Sequence, residues 1–270
     1  MLNWQWRNFE GIEYMTIPQW EEQGAPMLFA GRHAGNSTEP YSSLNMALHV
    51  GDEDKNVLEN RKHVMKIFGS EINNMVCCEQ VHGSGVAVVD KIHQGRGALD
   101  YSAALAGFDA MITNKSGLFL SLFFADCFPI FLFDPVKKAI AMVHSGWKGT
   151  IKKIVINAVE SMKREYKVNP VDIQGFIGPG ILRCCFEISD QLAESVNQEF
   201  PEFDEILSNN NGQYSWDLAR TNYNLLLSAG LPGENILVSD LCTKCHNDKF
   251  FSYRAEAGKT GRMAAIIGLK

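Results

Sequence analysis

No stretch of this 270-residue chain is apolar for long enough to cross a bilayer. The best, Gly117 to Phe133, is interrupted by Asp126 and Pro129. The first residues, Met1-Leu2-Asn3-Trp4-Gln5-Trp6-Arg7, lack the apolar centre of a secretory signal, so a cytoplasmic protein with no membrane partner is expected. Positive charge is scarce as well: 25 Lys and Arg stand against 31 Asp and Glu, a net charge of -6. A phosphate backbone asks for the opposite balance, so nucleic acid is not an expected partner. Repeats, low-complexity segments and Pro/Ser-rich linkers are missing, and the loosest stretch, Ser208-Asn209-Asn210-Asn211-Gly212, reads as a surface turn. One domain over residues 1–270 and a monomer are expected.

Histidine is sparse too. Seven are present (His33, His49, His63, His82, His93, His144 and His246), and no two lie two residues apart. A multicopper oxidase needs about ten, many in His-x-His pairs, so copper is disfavoured as the cofactor. Cysteine is also present seven times, an odd number that does not suit a disulfide framework. Most are expected to be buried thiols packed as small apolar groups.

What the chain has in plenty is core-forming material, 46% apolar residues. Asp54 to Phe68 places Val57, Leu58, Val64, Met65 and Phe68 at helical spacing. Arg61 falls on that same stripe. It is either a snorkelling side chain at the stripe's edge or a cation held for an anion such as phosphate. Strand-like runs follow. Leu118 to Ala125 is apolar but for Ser121, which predicts burial on both faces; Phe128 to Phe133 continues it, and Ala139 to Val143 returns. The connection Asp134-Pro135-Val136-Lys137-Lys138 suits a type I turn. A two-residue turn would put Cys127 opposite His144, and a longer one would slip the pairing by one or two residues. Helices are predicted from Thr150, after Ser189, and from Asp217 to Gly230; strands are predicted at Ile236 to Val238, Phe250 to Tyr253 and Met263 to Ile267. The expected fold class is α/β, with mixed, largely antiparallel sheets covered by helices.

Three polar residues stand where apolar strands meet Gly- or Pro-containing turns: His82, Cys127 and His144. Two imidazoles and a thiolate can hold a tetrahedral metal with its fourth position open, as catalytic zinc requires. Two hydrogen-bonded histidines and a packed cysteine would leave the same trace in the sequence. Cys242-Thr243-Lys244-Cys245 lacks the second pair that a zinc ribbon needs and reads as structural. In the doublets Cys77-Cys78 and Cys184-Cys185, strand alternation would bury one member of each. Ala257-Gly258-Lys259-Thr260 is not a P-loop, because Tyr253 stands where its first glycine should be; it reads as a hairpin turn.

At these residues the sequence closely resembles the YfiH/YlmD family, once called laccase-domain or polyphenol oxidase proteins. The matching segments are Ser43-Leu44-Asn45, His49-Val50-Gly51-Asp52, Glu59-Asn60-Arg61, Glu79-Gln80-Val81-His82-Gly83, Ala125-Asp126-Cys127 and Val143-His144-Ser145-Gly146-Trp147-Lys148-Gly149. Ile177-Gly178-Pro179-Gly180-Ile181, Phe250-Phe251-Ser252-Tyr253-Arg254 and Thr260-Gly261-Arg262-Met263 follow in family order. The resemblance implies one α/β domain with sheets sandwiched between helices, and zinc on His82, Cys127 and His144. It implies phosphorolysis of adenosine, inosine, guanosine and methylthioadenosine, and deamination of adenosine. Ala255-Glu256 departs from the further Arg and Asp that the family often has there.

For such a site Arg61 and Arg254 are candidates to grip phosphate, Asn45 and Gln80 to touch substrate, and Asp126 to orient the site as an acceptor. Zinc would bring the pKa of bound water to about 7 for deamination. The alternative is a metal-free cysteine hydrolase or deamidase with Cys127 as nucleophile and His144 as its base; the fold is similar to that of deamidating bacterial toxins. A non-enzymatic binding protein is the third reading, and it predicts no open polar cavity around these residues.

Overall fold

Along three neighbouring strands the in-out alternation of a half-buried sheet is absent. Every residue of Phe119–Phe124, Phe128–Asp134 and Ala139–Ser145 is buried. Strands of this kind need cover on both faces, and the computed structural model, which describes residues 2–270, supplies it in four layers.

In chain order the strands are β1 (Gln5–Phe9), β2 (Ile12–Thr16), β3 (Met27–Ala30), β4 (Met75–Cys77), β5 (Val86–Val88), β6 (Ala110–Thr113), β7 (Phe119–Phe124), β8 (Phe128–Asp134), β9 (Ala139–Ser145), β10 (Gln174–Ile177), β11 (Glu187–Ile188), β12 (Leu207–Asn210), β13 (Gln213–Trp216), β14 (Ile236–Val238) and β15 (Met263–Gly268). The helices are α1 (Pro18–Glu22), α2 (Asp54–Lys66), α3 (Trp147–Ile151), α4 (Ile154–Tyr166), α5 (Asp190–Glu199) and α6 (Leu218–Ser228). One six-stranded sheet has the order β1-β2-β3-β15-β7-β4, and a second has β14-β10-β8-β9-β6-β5. A small sheet, β11-β13-β12, stands apart from both. Among the described residues the parallel pairings are β4 with β7, β5 with β6, and β10 with β14; the others are antiparallel.

The inner faces of the two large sheets pack on each other through Phe29, Leu120, Leu122 and Phe124 from one and Met111, Phe131, Phe133, Met142 and Phe176 from the other. The outer face of the first is covered by α2 through Val64 and Met65, and that of the second by α4, α5 and α6. The mixed α/β class with largely antiparallel sheets between helices is thus what the chain adopts.

Several local expectations need correction. The β8–β9 connection has four residues: Asp134 pairs with Ala139 and Pro129 with His144, a slip of two from the shortest turn. Asp134 still caps it, accepting from the amides of Val136 and Lys137. Phe128 onward does not continue β7, because the chain changes sheet at Ala125-Asp126-Cys127. Thr150 does not start a helix; it lies within α3, and left-handed Lys153 separates α3 from α4. The helices capped by Ser189 and Asp217 form as expected. Phe250 to Tyr253 is irregular rather than a strand, so the Ala257–Thr260 turn joins no hairpin.

Candidate metal centre and active cleft

Sheet changes converge on one end of the sandwich. The chain leaves the first sheet after Cys77 and enters the second at Val86, and it leaves again after Phe124 and enters at Phe128. His82 lies in the first crossing and Cys127 in the second. His144 lies at the same end of β9, paired with Pro129. Tight corners of this kind need unusual backbone: Gln80 (φ 56°), His82 (φ 56°) and Asp126 (φ 85°) are all left-handed.

The donor atoms of His82, Cys127 and His144 all lie within 4.8 Å of one another. Cys127 Sγ is 3.9 Å from His82 Nε2, and the two imidazole rings meet edge to face at 4.8 Å. Burial is graded: His82 is exposed, Cys127 half-buried and His144 buried. Gly146 is required here, because a Cβ on it would stand 2.7 Å from Cys127 Sγ and 3.3 Å from His82 Cδ2.

The acceptor that orients this group is Asp109, which sequence reasoning missed. Its Oδ1 meets His144 Nδ1 at 2.8 Å, and its carboxylate accepts from the amides of Val81, His82 and Gly83. One buried carboxylate thus fixes both the His82 corner and the His144 tautomer, leaving His144 Nε2 for the site. Burial raises the Asp109 carboxyl, but the His144 bond and these amides outweigh it and hold it below the usual value. Burial likewise raises the Cys127 thiol, yet His144 and His82 bring it down to about 6. Burial lowers the His144 imidazole, yet Cys127 and Asp109 lift it to about 9. A thiolate beside two imidazole nitrogens, one of them left free by the Asp109 bond, suits a borderline-soft cation, so sulfur plus two ring nitrogens fit zinc.

These groups form the floor of a cleft of about 560 Å³. Ile181, Phe186 and Leu218 give it an apolar wall, Trp147 and Tyr253 stand exposed beside it, and Arg254 and Arg262 bring positive charge. Arg262 was quoted from the sequence only as part of a segment. Its backbone amide donates to Asn45 Oδ1, and its Nη1 is held by the carbonyls of Thr260 and Gly261.

The other expected contacts fall differently. Arg61 does not face the cleft: it is 1% exposed, donates to the carbonyls of Met46, Gly97 and Ala98, and lies over the Phe123 ring. It neither snorkels nor waits for phosphate; it fastens α2 to two loops. Asn45 is fully buried, bonded to Asp52, Ala47 and the Arg262 amide, and holds the cleft arginine in place rather than substrate. Gln80 lines the cleft, but both ends of its amide are engaged by the backbone of Phe123. Asp126 does orient groups, though not the metal-type ligands: it accepts from Thr243, Ser252 and the Arg254 amide and so anchors the arginine loop. Arg254 is exposed at the rim, its guanidinium over Phe186. Glu256, at the position that departs from the family pattern, pairs with Arg32 at 2.9 Å and accepts from Thr260, and so closes the same loop.

The family model described as multi-copper polyphenol oxidoreductase laccase matches residues 26–270. The chain belongs to this family. The YfiH/YlmD proteins are its relatives: a purine nucleoside phosphorylase YlmD of Geobacillus stearothermophilus is 38% identical over 92% of this chain and 94% of its own. An adenosine deaminase RL5 from an unknown prokaryotic organism is 34% identical over 82% of this chain and 85% of its own. The crystal structure of Bacillus licheniformis protein YfiH superposes with a TM-score of 0.91 at 35% identity, over 98% of this chain and 99% of that one. In this member of the YfiH/YlmD family no helix among the described residues is long and apolar enough to cross a membrane.

Proposed function

We propose that this protein is a zinc-dependent purine nucleoside phosphorylase that also deaminates adenosine, one domain acting in the cytoplasm. The observation that carries this reading is three convergent donors, His82, Cys127 and His144, on the floor of a cleft that Arg254 and Arg262 also line. The names of the relatives point the same way. One thiolate with two imidazoles and an open position is a donor set of catalytic zinc, and the group offers far fewer histidines than a multicopper cluster needs. Bound there, zinc would supply a Lewis acid and a means of acidifying water near neutral pH.

In phosphorolysis a phosphate oxygen bonds to C1′ of the ribose while the bond from C1′ to the purine nitrogen breaks. Arg254 and Arg262 take the role of holding phosphate that the sequence assigned to Arg61 and Arg254; a guanidinium fork matches two phosphate oxygens. Ile181, Phe186 and Leu218 form an apolar surface for the purine and keep water from it. Asp109 keeps His144 and the His82 corner in register with the substrate. The test is Cys127→Ala, assayed for ribose 1-phosphate released from inosine and phosphate. A loss on the order of a thousandfold is expected, and unchanged turnover overturns the reading.

One observation favours a second reading. Cys127, His144 and Asp109 form a bonded chain of thiolate, imidazole and carboxylate, the arrangement of a cysteine hydrolase. That reading leaves the convergence of His82 without purpose. It predicts a protein that turns over an amide or ester substrate after its metal is stripped, and metal analysis beside that assay separates the two.

A further inference from the structure

A second group of cysteines lies outside the centre described above. Cys184 and Cys185 sit in the turn before β11, and Cys242 and Cys245 in the turn after β14, so some sixty residues separate the pairs. The fold brings all four sulfurs within 4.8 Å of one another. Three separations are nearly equal: Cys184 to Cys185 is 3.8 Å, Cys184 to Cys245 is 3.6 Å and Cys185 to Cys245 is 3.4 Å. Four sulfurs about 2.3 Å from a common centre at tetrahedral angles stand about 3.8 Å apart. Near-equal spacing among several sulfurs describes the face of such a polyhedron, whereas a disulfide would single out one pair.

Two expectations are corrected by this arrangement. The Cys242–Cys245 motif does not lack a second pair; the adjacent doublet supplies it. That doublet is not in a strand, and Cys184 is exposed and Cys185 half-buried.

We propose that Cys184, Cys185, Cys242 and Cys245 form a second, closed metal site, a tetrathiolate that takes one zinc ion. Four sulfur donors leave no position for water or substrate, so the site is structural. Its purpose follows from what it joins. Gly180 bridges to Cys242, the Thr243 amide donates to the Gly180 carbonyl, and the Thr243 hydroxyl donates to Asp126 at 2.6 Å, next to Cys127. Cys185 offers its carbonyl to Arg254 Nη1 at 3.4 Å, and Ile181 and Phe186 stand on the cleft wall. The ion would therefore pin two loops into one wall of the cleft while touching no substrate.

The experiment is zinc counting by mass spectrometry on three forms of the full chain purified with zinc: unaltered, Cys127→Ala, and the double variant Cys242→Ser with Cys245→Ser. Expected are two zinc ions per chain in the first and one in each of the others. The same zinc content in the double variant as in the unaltered chain overturns the proposal. So does a thiol count, on protein denatured without reductant, that is two short at this cluster, since that result makes it a disulfide. If the double variant does not fold, cobalt replaces zinc in Cys127→Ala. Intense thiolate-to-cobalt absorption at one ion per chain is then expected, and its absence overturns the proposal. Loss of activity in Cys127→Ala bears only on the catalytic reading, so the two can fail separately.

Discussion

The two sulfur-containing groups of this protein are built on opposite plans. At the cleft floor three donors come from three distant segments, each set at the end of a packed strand or in a corner where the chain changes sheet. At the cleft wall four donors come as two short-range pairs on turns. The first plan offers two nitrogens and a sulfur, holds them with the buried carboxylate of Asp109, and leaves room above for a substrate. The second offers sulfur alone and leaves no room. Donor count and the rigidity of what lies behind each donor therefore separate a place for chemistry from a place for fastening.

The largest effect that would sharpen this contrast comes from one methyl group. Gly146→Ala would place a carbon 2.7 Å from Cys127 Sγ, in a spot bounded by the packed strand end of β9 and the His82 ring. The floor would lose its geometry while the wall cluster kept its own. A fall in phosphorolysis of about a hundredfold or more is expected, together with the loss of one metal ion per chain and not two. An alanine variant with full activity would show that the donors tolerate separation and would break the comparison.

Asp109→Asn comes next. The amide keeps the size but loses the charge that fixes the His144 tautomer, and it can no longer accept from three backbone amides and the imidazole as a carboxylate does. Losing a partner of this kind typically costs about ten- to a hundredfold in metal affinity or activity. Zinc titration by calorimetry against a competing chelator measures it. Unchanged affinity would reduce Asp109 to a packing residue.

The sequence alone made the strands legible where both faces are covered, because a run such as Phe119 to Phe124, apolar but for Ser121, shows no polar face to turn to water. It also singled out His82, Cys127 and His144, each standing where such a strand meets a turn, and the fold brings their donor atoms together. Asp109 was not legible. It precedes β6 as one of many acidic residues, and only the folding of that strand end against the His82 corner gives it partners. Arg61 misled for the related reason that periodicity shows a residue faces inward but not what awaits it there. Backbone carbonyls from Met46, Gly97 and Ala98 have no signature in side-chain pattern. The pairing of Cys184-Cys185 with Cys242 and Cys245 was hidden by the same distance in sequence.

Arg61 and Arg262 extend the contrast to the cations. Both are bonded to backbone carbonyls, but Arg61 is sealed while Arg262 opens onto the cleft. Arg61→Met should lower stability by a few kcal/mol, since about three bonds to a charged group are lost and their carbonyl partners stay buried, yet leave the KM for phosphate unchanged. Arg262→Gln should lower the melting temperature less, because its two carbonyl partners are only part-buried, and raise that KM about tenfold, as befits one weakened charge-assisted contact. Thermal melts and phosphate saturation curves on both variants check this, and a reversal of the two patterns would return phosphate binding to the α2 side.

The smallest difference lies along the pH axis. The Cys127 thiol is depressed to about 6 by His144 and His82, whereas burial and the hydrogen bond with Cys245 push Cys185 up to about 11. A depressed thiol is ionised above its pKa and loses its reactivity as pH falls through that value. A raised one gains reactivity only as pH climbs toward it. In chelator-treated protein iodoacetamide should therefore label Cys127 at a rate that rises through about pH 6 and is already level at pH 7 to 8, while Cys185 stays unlabelled until the solution is strongly alkaline. Site-resolved mass spectrometry after short exposures at stepped pH reads both curves from one sample. If both cysteines instead titrated together near pH 9, the imidazoles at the cleft floor would not be acting on sulfur at all, and the electrostatic half of the distinction between the two groups would fall.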